Sequence, residues 1–309
     1  MIPQFPQFKK LEFSDRKEIL ALTEDFPPYS DFNFVSMFSW NTEDTFEISV
    51  LGTLLIVKFN DYITNQPFLS FHGKDVTEEH IHLLFEYSKK NNLREEIKLV
   101  PAELANILFK SNSLTISEDV DNFDYVYSTI LLTDMKGGLF ETKRNLINRF
   151  HKFTPNPSYK ILDLTDNFFE EKILELFTAW HAHKLTQDEK FEAEHEFNAV
   201  KRILLHCEKL SLKILCLFSA ESLIGFSIFE ILIKKKAICH FAKINLHFTG
   251  AQDYIMQQQA KWLLSEGIQV LNYEQDLGIK TLRHSKQSFR PTAFLKKYRI
   301  STTSNMGIE

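Results

Sequence analysis

LKILCLFSAESLIGFSIFEILIKKKAICHFAKIN, residues 212–245, decides how this chain folds. It holds three apolar runs, LKILCLF (212–218), LIGFSIFEILI (223–233) and AICHFA (237–242), parted by a polar turn at Ser219–Ser222 and a short lysine turn. Runs of this length, rich in Ile, Leu and Phe and joined by tight polar turns, predict an antiparallel meander. Downstream, 251–265 reads as a helix, IQVLNYE (268–274) as a strand, 279–286 as a short helix and Phe294–Ile300 as a last strand. Upstream, 168–185 aligns Ile173, Phe177 and Trp180 on one helical face, and 191–209 places Phe197, Val200, Leu204 and Cys207 inside a second helix.

The amino-terminal half has a similar texture. Residues 14–25 form a helix capped by Ser14 and stopped by Pro27 and Pro28. FEISVLGTLLIVKF (46–59) reads as a hairpin around Gly52, and FLSF (68–71) follows it. A helix over 77–90 buries Ile81, Leu84 and Phe85, with Asp75 or Thr77 as its N-cap. IKLV (97–100) is a strand, Pro101 opens a helix to about Phe109, and DNFDYVYSTILL (121–132) is extended chain. The pattern is α+β, with mixed, mostly antiparallel sheets flanked by helices. Two halves are expected: 1–155, ending in the basic helix 139–153, and 156–300, with 301–309 as a tail.

Composition narrows the function. The chain has 309 residues, 44% hydrophobic and 25% charged, which excludes a disordered or low-complexity protein. A net charge of −5 excludes a globally basic nucleic-acid binder but leaves room for a local basic patch. Only 9 glycines are present, about half the usual share, which argues against a phosphate site built on a Gly-rich loop. Three cysteines without a CxxC spacing suit a reduced cytoplasmic chain. There is no signal-peptide pattern and no apolar run long enough to span a bilayer, so a soluble protein is expected. GxSxG, GxxxxGK[ST] and GxGxxG are all missing. His181, His183 and His195 do not make a metal site, because i,i+2 side chains on a helix diverge by about 200°.

Two segments carry chemistry. In GGLFETKRNLINRFHKF (137–153), Leu139, Leu146, Ile147, Phe150 and Phe153 share one face while Arg144, Asn145, Asn148 and Arg149 lie elsewhere. Lys143 falls inside the apolar arc, so its ammonium must reach a cleft or find a partner. Lys143 and Arg144 are therefore either an anion-holding pair or part of an ordinary amphipathic helix. In NYEQDLGIKTLRHSKQSFRP (272–291), Glu274 and Asp276 end a strand, and Arg283 and Lys286 stand three residues apart on the next helix. These charges form either a structural salt-bridge set or a site for a substrate ammonium beside a phosphate or carboxylate.

DYVY (124–127), GGLFETKRNLINRF (137–150) and NYEQDLGIKTLRHSKQSFRP (272–291), with the opening FSDRKEILALTEDFPPYSDFNFVSMFSWN (13–41), resemble bacterial DUF2156 proteins, relatives of the C-terminal domain of phosphatidylglycerol lysyltransferase. The resemblance covers nearly the whole chain. It implies tandem acetyltransferase-like (GNAT) domains, as in the Fem transferases, with one site between the halves. It also implies transfer of an aminoacyl group from aminoacyl-tRNA to an amine or hydroxyl acceptor, such as a lipid headgroup. Lys143, Arg144 and Asn145 match the family's KRN block, and Asn272, Asp276, Gly278, Arg283 and Lys286 its second block.

On that footing Lys143 and Arg144 bind the anion, Lys243, Arg283 and Lys286 are further cations, and Asp276 or Glu274 orients the acceptor amine. The family often has a glutamate where this chain has Ala242. An acyl-CoA-dependent N-acetyltransferase is the alternative, with a pyrophosphate loop expected after the strand 237–242. INLHFTGAQ (244–252) offers only Gly250 there. A non-catalytic binding protein on the same fold is the third reading. The donor is thus aminoacyl-tRNA or acyl-CoA, and the protein is expected in the cytoplasm or at the inner membrane surface.

Overall fold

The computed structural model describes residues 1–61, 66–163, 167–181 and 187–303; the side chains of 167–168, 181 and 187–192 lie outside that description. His183, part of 182–185 at the end of the expected helix, and most of the expected tail fall outside the described residues. The chain is α+β, with largely antiparallel sheets flanked by helices. It forms two compact units, Met1–Asp124 with Gln275–Arg283 and Phe294–Glu309, and Tyr125–Glu274 with His284–Ala293. These units do not follow the division expected near residue 155. The helix Glu141–Phe153 packs on Ala251–Ser265, which brings it into the second unit instead of closing the first.

The first unit is built on the hairpin Glu47–Leu51 and Leu54–Asn60, which turns at Gly52 with φ +62°. Lys9–Lys10 and Pro67–Gly73 extend it to a four-stranded antiparallel sheet. A second sheet sets Lys297–Thr302 between Ile97–Pro101 and Leu114–Glu118. The helix Glu78–Lys90 starts where Thr77 accepts from the His80 N–H while the His80 ring accepts from the Thr77 N–H. That reciprocal cap satisfies two orphan donors and makes Thr77, not Asp75, the N-cap. Ile81, Leu84 and Phe85 then pack on Leu54, Ile56, Leu69 and Phe71.

The helix Phe34–Trp40 was not legible in the sequence. Six of its seven residues are buried, so there is no polar face to reveal the period. His72 lies against the rings of Phe26, Phe32 and Tyr29. Burial holds its imidazole down to about 3, so it stays neutral and accepts from the Gly73 N–H. The unfolded chain protonates this group below pH 6.5 and the folded chain does not, so stability must fall as pH drops from 6.5. Between pH 6.5 and 5 the loss is about 2 kcal/mol, and His72→Leu is expected to remove that slope in denaturant titrations.

In the second unit the expected meander is present as Lys213–Ser219, Ser222–Leu232 and Lys236–Ile244. Pro157–Leu162 extends it at the outer edge. Three of this edge strand's six residues are exposed and none is buried, so it brings no apolar run to announce it. The helix Ala251–Ser265 crosses over to Val270–Asn272, which runs parallel to Lys236–Ile244, and Asp124–Ser128 pairs antiparallel beyond it. Asn167–His181 packs against the meander strands, and Gln187–Leu204 packs on Asn167–His181.

Two expectations are corrected here. Residues 121–132 are not extended throughout. Ser128 caps the Leu131 N–H, and Thr129–Asp134 is helical. In the basic helix Ile147 and Phe150 are buried, but Leu139 and Phe153 are each 69% exposed and belong to no core. The helical wheel assigned them inward because it extrapolated past both ends of the packed segment.

Candidate functional site

The second unit's sheet opens at one point. Lys236–Ile244 pairs with Val270–Asn272 only from Lys236↔Val270 to Ile238↔Asn272, after which it continues without that neighbour. On its other side Ile228 pairs with Phe241 and Phe229 with Cys239, so His240 is bulged out of register. A bulge re-aims a side chain and bends its strand. Here it places His240 with Nδ1 3.1 Å from Glu274 Oε1 and Nε2 3.3 Å from Glu230 Oε1. The ring is fully buried, Glu230 is nearly so, and Glu274 keeps some solvent access. Burial alone would push the imidazole pKa down. Hydrogen bonding and charge from Glu230 and Glu274 outweigh it and raise the pKa to about 9, so His240 is an imidazolium at neutral pH.

Glu274 has a left-handed backbone with φ +55°, costly for a residue with a Cβ. Its N–H donates to Asn272 Oδ1 at 2.8 Å, and its carbonyl accepts from the Tyr125 N–H. Asn272 is thus a buried bracket for the strand end. Lys286, also buried, donates to the Tyr273 carbonyl at 2.5 Å, while its own carbonyl accepts from the Tyr127 hydroxyl. Both residues expected as binders fix the backbone that carries Glu274.

The other expected cations have protein partners. Lys143 pairs with Asp253 Oδ1 at 2.9 Å and sits 3.7 Å from the centre of the Phe289 ring. Its place in the apolar arc is resolved by a partner and not by a cleft. Arg144 donates to the Met135 and Gly137 carbonyls at 2.5 and 2.7 Å, closing the turn after Thr129–Asp134. Asn145 is exposed. Lys243 pairs with Glu196 at 2.7 Å and lies 3.9 Å from the Trp180 ring centre.

Because Asp253 is buried, Lys143→Ala is expected to destabilise the protein by about 2 kcal/mol, and adding Asp253→Ala should restore part of that loss in a denaturant titration. The first variant alone is therefore not a clean test of ligand binding.

Asp276 and Arg283 meet in the first unit. The Arg283 Nε and Nη2 donate to the two Asp276 oxygens at 2.8 Å each, and Nη2 also reaches Asp121 at 2.6 Å. Asp276 further accepts from the Gly278 N–H. Gly278 has φ +76°, and a Cβ there would press on the Asp121 carboxylate. This is a loop clamp with Asp276 inside it.

His240 and Glu230 were not expected at the site. A lone histidine and a lone glutamate in two adjoining apolar strands are the only sequence trace of them, and the bulge that joins them has no local signature. Ala242 packs against the unit's core. All three cysteines are buried and free, with burial pushing the Cys216 thiol up to about 12. Among the described residues no three His, Cys, Asp or Glu side chains are arranged to hold a metal ion, and no helix is long and apolar enough to cross a membrane.

An α+β chain with a parted pair of parallel strands and a carboxylate at the parting is the class defined so far. The chain belongs to the family described as phosphatidylglycerol lysyltransferase, C-terminal, whose model matches residues 23–301. A conserved protein of unknown function from Bacteroides thetaiotaomicron is similar in structure, with TM-score 0.83 and 25% identity over 98% of this chain and 100% of that one. L-PGS from Bacillus licheniformis superposes with TM-score 0.64 at 11% identity, covering 100% of this chain and 95% of its own. The C-terminal DUF2156 domain assigned to a lysylphosphatidylglycerol synthetase from Agrobacterium fabrum gives 0.61 at 12% identity, over 93% and 90%. At such identities these two share the fold with this chain. No curated protein matches it by sequence.

Proposed function

We propose that this protein transfers an aminoacyl group from an aminoacyl-tRNA to an amine or hydroxyl acceptor, with a lipid headgroup as the acceptor class the family suggests. The acceptor nitrogen or oxygen attacks the ester carbonyl. The new bond forms as the ester bond to the tRNA ribose breaks, and the ribose hydroxyl leaves with the proton the acceptor gives up. Glu274, beside the strand opening, orients the amino group of the aminoacyl donor. The exposed side of Glu141–Phe153, with Asn145, Arg149 and Lys152, supplies tRNA backbone contacts.

One observation carries the choice of donor. The start of Ala251–Ser265 is where an acyl-CoA enzyme would place its pyrophosphate, using free N–H groups and the positive helix end. Here the first turn carries the buried carboxylate of Asp253, already paired with Lys143. Gly250 lies so close to Leu146 that a Cβ would run into its carbonyl. A pyrophosphate at this position would meet a carboxylate and a neighbouring helix. That disfavours acyl-CoA as the donor.

The test is transfer of radiolabelled amino acid from a panel of aminoacyl-tRNAs to phosphatidylglycerol vesicles and to soluble amines, with acetyl-CoA hydrolysis followed in parallel. Product from a tRNA donor is the expected result. Turnover with acetyl-CoA alone overturns the reading, and no turnover with any donor favours a binding protein.

A further inference from the structure

We infer that His240 is a positioning residue: the bulge in Lys236–Ile244 aims its imidazole at Glu274, and the imidazole holds that carboxylate in place where the strands part, ready for a substrate ammonium. The inference rests on the proposed function above and adds a residue and a substrate feature to it.

The bland alternative is that His240 merely staples three strands together. Several observations weigh against it. The bulge falls two residues beyond the last pair of the parallel strands, next to the end of Val270–Asn272. A β-bulge within a continuous pairing disrupts the ladder locally, so keeping one here needs a reason. Glu274 is held in a left-handed backbone by Asn272, its carbonyl is held by Tyr125, and the preceding carbonyl is held by buried Lys286. That is much support for one carboxylate.

Stability alone gives little motive. Two carboxylates and an imidazolium packed together must overcome their desolvation, and well-packed apolar side chains of similar volume often do as well or better. His240 is sealed at 0%, and both carboxylates keep a little exposure, 9% for Glu230 and 13% for Glu274. Glu230, from the adjoining strand, and Glu274, from beyond the parallel strand, are the charged groups against the two ring nitrogens.

A carboxylate held at a strand end by fixed backbone, with a buried ring against one oxygen, suits the orientation of an ammonium by charge-assisted hydrogen bonds. The ligand class is a primary ammonium, such as the α- or ε-amino group of an aminoacyl ester.

Three measurements test this. In the wild type, the His240 ring signals followed by NMR should titrate well above the usual histidine range, and in Glu274→Gln their midpoint should fall by at least one pH unit. An unchanged midpoint overturns the clamp, and this reading needs neither an active protein nor a His240 variant. L-lysine methyl ester, titrated by calorimetry, should bind the wild type and bind His240→Gln and Glu274→Gln at least tenfold more weakly. Equal binding, or none to the wild type, overturns the ammonium assignment.

In the transfer assay His240→Gln should lower kcat/KM about tenfold, and combining it with Glu274→Gln should add less than twofold to the loss from Glu274→Gln alone, since one residue acts through the other. Multiplicative losses would make His240 a separate structural element and overturn the inference. Transfer absent from the wild type, with ester binding and the NMR shift both as expected, overturns the proposed reaction and leaves the positioning role standing.

Discussion

Lys297→Met is expected to destabilise the first unit by about 3–5 kcal/mol, the range for removing one partner from a buried ion pair. Lys297 lies in the last strand and its ammonium is fully buried. It pairs with Asp31 and with Asp124 Oδ1 at 2.7 Å, and donates to Ser30 Oγ at 3.2 Å and Gln275 Oε1 at 3.4 Å. Asp124 also accepts from the Ser30 N–H and hydroxyl. Burial opposes the ammonium charge, and the two aspartates outweigh it and raise its pKa. Methionine would leave two buried carboxylates facing each other. A melting-temperature drop of about 10 °C should be visible by circular dichroism.

Asp31→Asn gives the control. The cluster buries two negative charges against one positive, and Asp31 is raised to about 6 by burial, with Asp124 adding to the rise and Lys297 opposing it. A carboxyl whose folded pKa exceeds its unfolded value binds more protons when folded, so its contribution to stability declines as pH rises from about 4 to 6. Asp31→Asn removes that decline and leaves a one-to-one pair. It is expected to stay within about 1 kcal/mol of the wild type at pH 7. A loss as large as that of Lys297→Met would show that geometry, not charge balance, holds this cluster.

Glu274→Gln is the second large effect. It removes the charge that the site presents at the strand opening while keeping the side chain's size and hydrogen-bonding capacity. Transfer should fall about 100-fold, in the range of losses from removing a charge-stabilising group in an active site. Because the variant also frees His240 from one of its two carboxylates, folding should be checked beside activity. A native-like melting curve with lost transfer is the expected pair of results. Transfer within threefold of the wild type would remove Glu274 from the chemistry, and Asp276 could not readily replace it, since its two oxygens are engaged by Arg283.

The parts of the fold legible in the sequence were those set by short-range periodicity. The helix Glu78–Lys90 buries one face, and the meander strands are apolar runs parted by short polar turns; both signals are written within a few residues. Elements that are buried all round, such as Phe34–Trp40, or open to solvent at an edge, such as Pro157–Leu162, carry no such contrast. The candidate site divided in the same way. Glu274 could be picked from its place at the end of an expected strand, as could the cations near it. The partners that absorb those cations were not visible, because Asp253 for Lys143 is 110 residues away in sequence and Glu196 for Lys243, a strand residue, lies on the helix Gln187–Leu204.

By itself, then, the sequence determined the α+β class, the order of the meander and crossover helix, and the family signature in 137–150 and 272–291. The tertiary structure decided which charges are spent on one another. It joined Lys143 to Asp253, committed Asp276 to Arg283 and, through a bulge at His240, left Glu274 at the opening of the sheet. The physical reason is range. Periodicity and turn chemistry act over a few residues, whereas the fate of a buried charge depends on which distant group the packed chain brings within about 3 Å of it.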